Sequence, residues 1–195
     1  MRAASYTPPG LLHSRRMLMQ ESQVRFLPLA AKTVVCHTLT YFVMGALAFH
    51  FLHYEEVLNN PSSGMKPTVS LAVLLGAPLQ VFRGILFATV FYPFRGVLFG
   101  HRNGWLLMAW MLIGVGILGT FTAPAGSLEG FIYTTIPLKG QLRGYLEVVP
   151  QALLLSALLC YWVNHPGKKW LTWTLSALYA VGVSLPLLGL IAPKK

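Results

Sequence analysis

The sequence predicts an all-α fold: a polytopic membrane helix bundle of about five transmembrane helices. Three observations carry that expectation. Five long apolar stretches are separated by short segments that hold nearly all the charge. Only 10% of the residues are charged and 55% are hydrophobic, whereas a water-facing domain carries about 25% charged residues. The mean hydropathy is +0.60. Backbone groups in lipid must be paired internally, so spanning segments are helices or closed barrels, and these runs are too continuous for alternating barrel strands.

A basic N-terminal cytoplasmic tail is expected over residues 1–32, a transmembrane domain over 33–192 and a short C-terminal tail over 193–195. The first span, 33–54, holds 22 residues without a formal charge, which is roughly 33 Å of helix and enough to cross a bilayer. Glu55, Glu56 and the turn NNPSSG end it. The second, 68–92, is closed by Pro93 and contains Pro78, Gln80 and Arg83, which do not suit a lipid-facing surface. A link, FRGVLFGHRNG, leads to the third span at 105–121, where Gly114, Gly116 and Gly119 would let a neighbouring helix approach closely. Residues 122–144 are too interrupted by Gly, Thr and Pro to span, and read as a broken interfacial or re-entrant loop. The fourth and fifth spans are expected at 145–163 and 170–191.

Orientation follows from the cations. With the N-terminus inside, Arg2, Arg15, Arg16, Arg25, Lys32, Arg95, Arg102, Lys168 and Lys169 are cytoplasmic, nine in all. Five, namely Lys66, Lys139, Arg143, Lys194 and Lys195, are outside. The bias favours a cytoplasmic N-terminus, and Trp105, Trp162, Trp170 and Trp173 fall on the same inner boundary as an aromatic belt would. A bacterial inner (plasma) membrane is the default setting for such a pattern. The Arg-rich N-terminus lacks an early apolar core with a small-residue cleavage site, so a secretory signal peptide is not expected. The net charge of +10 is therefore a topology signal, and no nucleic-acid-binding signature accompanies it.

Five residues are candidates for a polar intramembrane binding site. Arg83 lies deep in the second span, where an arginine costs about 2.5–3.5 kcal/mol on insertion scales unless it faces the bundle interior and finds a partner. Gln80 lies one turn before it, near a carbonyl that Pro78 would free. Arg143 and Glu147 are four apart and share a helix face, with Gln141 beside them. Together these residues suit an anionic or lipid-like ligand. His50 and His53, one turn apart, are candidate metal ligands with Glu129, since imidazole and carboxylate suit zinc or iron. The spacing is not that of HExxH. His37 and His50 differ by about 220° around their helix, which excludes a paired-haem arrangement on that span.

Cys36 and Cys160 lie in apolar segments without CxxC spacing and are expected to be reduced packing residues. All five acidic residues are Glu, so aspartyl dyads and aspartyl-phosphate chemistry are excluded. Phosphate-cradling and nucleophile-elbow motifs are missing. The function expected first is a non-enzymatic membrane subunit or carrier-like binding module. A membrane enzyme with an outward-facing His/Glu site and a structural subunit of a larger complex are the alternatives. The lipid bilayer is the expected partner, with other membrane subunits or a second copy of the chain beside it. The sequence names no cofactor.

Overall fold

Apolar runs favour helices because a helix pairs its backbone groups within itself. The computed structural model describes residues 24–60, 65–67 and 70–191. Most of the N-terminal tail, the Pro61–Gly64 part of the first turn, the start of the second span at Thr68 and the C-terminal Lys194 and Lys195 lie outside the described residues. Among the described residues the secondary structure is all helical, with no strand. Helix α1 is Phe26–Phe51, α2 Tyr54–Leu58, α3 Leu71–Leu74, α4 Gly76–Phe91, α5 Arg95–Leu98 and α6 Gly104–Ile113. A π-helical turn, Gly114–Leu118, continues α6. Then come α7 Leu128–Tyr133, α8 Leu138–Arg143, α9 Tyr145–Asn164 and α10 Lys169–Ile191.

Among the described residues, two segments are long and apolar enough to cross a membrane: α1, and α8 with α9 as one run from Leu138 to Asn164. The second is continuous because Gly144 keeps right-handed helical angles. Pro78–Phe91 and Gly104–Leu118 are shorter apolar helices. The expected second span is interrupted at Leu75, between α3 and α4, and Pro78 falls in the first turn of α4. There the missing proline N–H has no intrahelical partner to lose. The broken loop is also shorter than expected, because α8 already belongs to the long run.

Helix α1 starts at Phe26 rather than Thr33 and so takes in Lys32. That lysine has a role inside the fold. Its Nζ donates to the Trp162 carbonyl at 3.1 Å and stands 5.4 Å above the Trp162 ring. Trp162 lies in the last turn of α9, where carbonyls have no helical partner, so Lys32 caps that helix from across the bundle. At its other end α1 stops at Phe51, and His53 takes a left-handed φ of 48° that turns the chain.

Helix α1 is central, packing against α4, α9 and α10, while α9 also packs on α6. Helices α1 and α4 approach closely at Gly84, where a Cβ would lie 2.6 Å from the Val34 Cα. Glycine is required there by the backbone crossing itself. Gly114 and Gly116, expected to serve close packing, instead face open space. The core contains Leu29, Phe91, Leu98, Met108, Leu155 and Leu159. Both cysteines are free and buried, as expected, and the Cys160 thiol donates to the Leu98 carbonyl at 3.6 Å.

A few polar groups are buried while many large apolar side chains are exposed. Thr33, His37, Thr38, Thr40 and Ser156 are buried, whereas Phe82, Trp110, Val115 and Trp173 are exposed. Thr33, Thr40 and Ser156 return their hydroxyl protons to carbonyls of their own helices at 2.8, 2.9 and 2.7 Å, the usual way a hydroxyl is satisfied in an apolar interior. Trp170 and Trp173 are exposed, as a belt requires. Trp162 departs from that expectation: it is 3% exposed and its Nε1 donates to Thr172 Oγ1 at 3.0 Å.

Candidate functional site

The buried polar residues of α1 follow helical spacing, Thr33, His37 and Thr40 forming one inward stripe. His37 and the following-turn Tyr41 open onto a cavity of about 340 Å³. Arg83 and Phe87 of α4 form its second wall, and Leu112, Gly116 and Ile117 of α6 and its π-turn the third. Glu147, Gln151 and Leu155 of α9 form the fourth, while Pro124 and Ala125 of the loop lie over it. Mostly apolar walls with a few convergent polar groups are what a small-ligand site requires. The π-turn matters here. Its wider backbone leaves Gly116 without a neighbour, so the wall stays open, and such turns recur at functional sites.

Of the five residues expected to bind, Arg83 and Glu147 line this one cavity from different helices. Arg83 is exposed and its guanidinium lies 5.5 Å above the Phe87 ring. The Tyr54 side chain lies beside Glu147, and Arg143 stands 5.7 Å over the Tyr54 ring. No ion pair closes between Arg143 and Glu147 among the described residues.

Gln80 does not line the cavity but stands behind it. Its Nε2 donates to the Gly76 carbonyl at 3.1 Å, which turns its Oε1 toward His37 Nε2 at 3.0 Å. An amide oxygen only accepts, so His37 Nε2 carries the proton and Nδ1 presents a lone pair. That Nδ1 is buried without a hydrogen-bond partner in a residue 1% exposed. The ring also packs edge-on against Phe87 at 4.9 Å.

Gln141 is a structural residue rather than a ligand contact. It is 2% exposed and ties the loop together. Its Oε1 accepts from Gly126 N at 2.6 Å, and its Nε2 donates to Gly130 O and to Thr134 Oγ1, both at 2.9 Å. Gly126 has φ +88°, and the Tyr145 ring stands 2.8 Å from where a Cβ would be. The Tyr145 hydroxyl donates to the Gly126 carbonyl, and Ser127 caps α7 by accepting from Gly130 N at 2.9 Å.

The expected metal set is not brought together. Among the described residues no group of three or more His, Cys, Asp or Glu is arranged to hold an ion. His50 packs edge-on against Phe51 at 4.8 Å, His53 lies in the turn beyond the helix, and Glu129 sits in the first turn of α7. The chain reversal at His53 separates side chains that a continuous helix would have aligned.

His37, Tyr41, Thr120, Tyr145 and Gln151 are polar residues of the cavity lining that were not expected there. The signal for the first two was present: a Thr33–His37–Thr40 stripe in an otherwise apolar helix marks an inward polar face. No family model matches this chain, and neither a curated protein nor a solved structure is detectably similar to it.

Proposed function

We propose that this chain is an integral membrane protein of five spans, with its N-terminus on the cytoplasmic side of a bacterial inner membrane. The many large apolar side chains left exposed support membrane insertion, as do the two long apolar helices. The remaining spans would be α3 with α4, α6 with its π-turn, and the 23-residue α10. Helix α4 has 16 residues, about 24 Å of helix, so it needs α3 or local bilayer thinning to complete a crossing.

Its function is binding rather than catalysis: a carrier-like module or membrane subunit that holds an anionic or lipid-like ligand between its helices. The carrying observation is the Arg83 guanidinium on the wall of a cavity of about 340 Å³, without an acidic partner on its own helix. A cavity of this size matches the range for small-molecule sites. Gln80 supports the site by holding His37, Gln141 by holding the loop, and Arg143 by packing on Tyr54. The enzyme alternative draws on His50, His53, Glu129 and Glu147 as a metal or acid–base site, and among the described residues no group of three or more His, Cys, Asp or Glu is placed to hold a metal.

The test is native mass spectrometry of the protein purified gently from its own membrane, beside Arg83→Leu. A small molecule or lipid retained by the parent, and at least tenfold depleted in a folded variant, is the expected outcome. The factor is what the loss of one charge-assisted hydrogen bond, about 1.5–3 kcal/mol, would give. Stoichiometric companion subunits with no retained ligand would favour the structural-subunit reading.

A further inference from the structure

Resting on the ligand-binding reading above, we infer that the ligand of this cavity is a zwitterion, with its anionic group on Arg83 and its ammonium on Glu147. Arg83 and Glu147 carry opposite charges into one cavity, yet no ion pair closes between them among the described residues. Tyr41 lines the same cavity as both charges. An ionised carboxylate accepts about four hydrogen bonds, which leaves Glu147 room for an ammonium.

A purely anionic ligand would face the Glu147 charge across the same cavity. A purely cationic one would face Arg83 in the same way. A molecule with an anionic group and an ammonium a few bonds apart satisfies both walls, and Phe87, Leu112 and Ile117 accept its carbon chain. Such chemistry belongs both to phosphoethanolamine lipid headgroups and to free amino-acid-like zwitterions.

Two binding measurements on the full chain distinguish those sources. In the first, the protein in detergent is equilibrated with vesicles of equimolar phosphatidylethanolamine and phosphatidylglycerol, and retained lipid is read by native mass spectrometry. In the second, calorimetry compares phosphoethanolamine and β-alanine with inorganic phosphate and acetate. The expected result is a preference of about tenfold or more for the zwitterion over its anionic counterpart in at least one measurement. Glu147→Gln should abolish that preference, and Arg83→Lys should weaken binding of both members of the favoured pair. A lipid-only preference assigns the headgroup; a preference among the soluble compounds assigns the free zwitterion. Equal binding of zwitterion and anion that is unaltered in Glu147→Gln overturns the zwitterion and leaves the ligand-binding reading standing. No binding in either measurement overturns both. Both variants change side chains that face the cavity rather than the core, and size-exclusion elution verifies their folding.

Discussion

Replacing Gln141 with alanine should free the loop over the cavity without unfolding the bundle. Three hydrogen bonds disappear together. Their costs are unequal. Gly130 O keeps the Thr134 hydroxyl as a donor at 2.7 Å, so losing the Nε2 bonds is mild. Gly126 N–H, by contrast, is buried and loses its acceptor at 2.6 Å. An orphaned buried donor costs about 1–3 kcal/mol, and the whole change should come to about 2–3 kcal/mol of local stability. At about 1.36 kcal/mol per decade that corresponds to roughly 30- to 150-fold faster amide exchange. Hydrogen–deuterium exchange of the nanodisc-embedded protein, read on the peptide covering 122–134, measures it. Leu142→Ala, which truncates an exposed neighbour, is the control. Gln141→Glu should be no better than alanine, since it keeps an acceptor for Gly126 but sets a carboxylate against the Gly130 carbonyl. Exchange in Gln141→Ala equal to that in the control would refute the reasoning. It would mean that the Tyr145–Gly126 bond and the Ser127 cap hold the loop alone.

Three further outcomes are expected. Gly84→Ala drives a Cβ to 2.6 Å from the Val34 Cα, so overpacking of about 1–3 kcal/mol should exceed the helix-propensity gain of about 1 kcal/mol. Its thermal midpoint in detergent should fall, while Gly45→Ala, with nothing within 4 Å of the new methyl, should be neutral or stabilising. Lys32→Met removes the 3.1 Å cap on Trp162 O and should destabilise the end of α9 by about 1 kcal/mol. Faster exchange at residues 160–164, restored in Lys32→Arg, would bear this out, and unchanged exchange would refute it. For topology, a fluorescent protein fused at the N-terminus should fluoresce and an alkaline phosphatase fused at the C-terminus should be active outside. Both termini reporting inside would mean an even number of spans.

Helical class and the approximate positions of the apolar segments were legible in the sequence, because hydropathy is a property of consecutive residues. Arg83 and Glu147 stood out for a related reason, since charge is costly in an apolar segment, and the structure sets both in the lining of one cavity while leaving Arg83 exposed. The limits of the elements were less legible. Lys32 reads as the end of a cytoplasmic tail, yet it belongs to α1 because its partner is Trp162, 130 residues away. Trp162 reads as a belt residue for the same reason, since burial depends on which helix crosses it.

Sequence alone determined that this chain makes apolar helices with a few polar residues that lipid would not tolerate. Only the tertiary structure decided which of those residues share a space. It brought His37 to Gln80 across two helices, put Arg83 and Glu147 on one cavity, set Arg143 over the Tyr54 ring, and kept His50, His53 and Glu129 from forming a cluster. The physical reason is that spacing along a helix fixes direction around its own axis, whereas contact between helices depends on where they cross. Here that crossing is set by Gly84 against Val34, a backbone approach that no local pattern encodes.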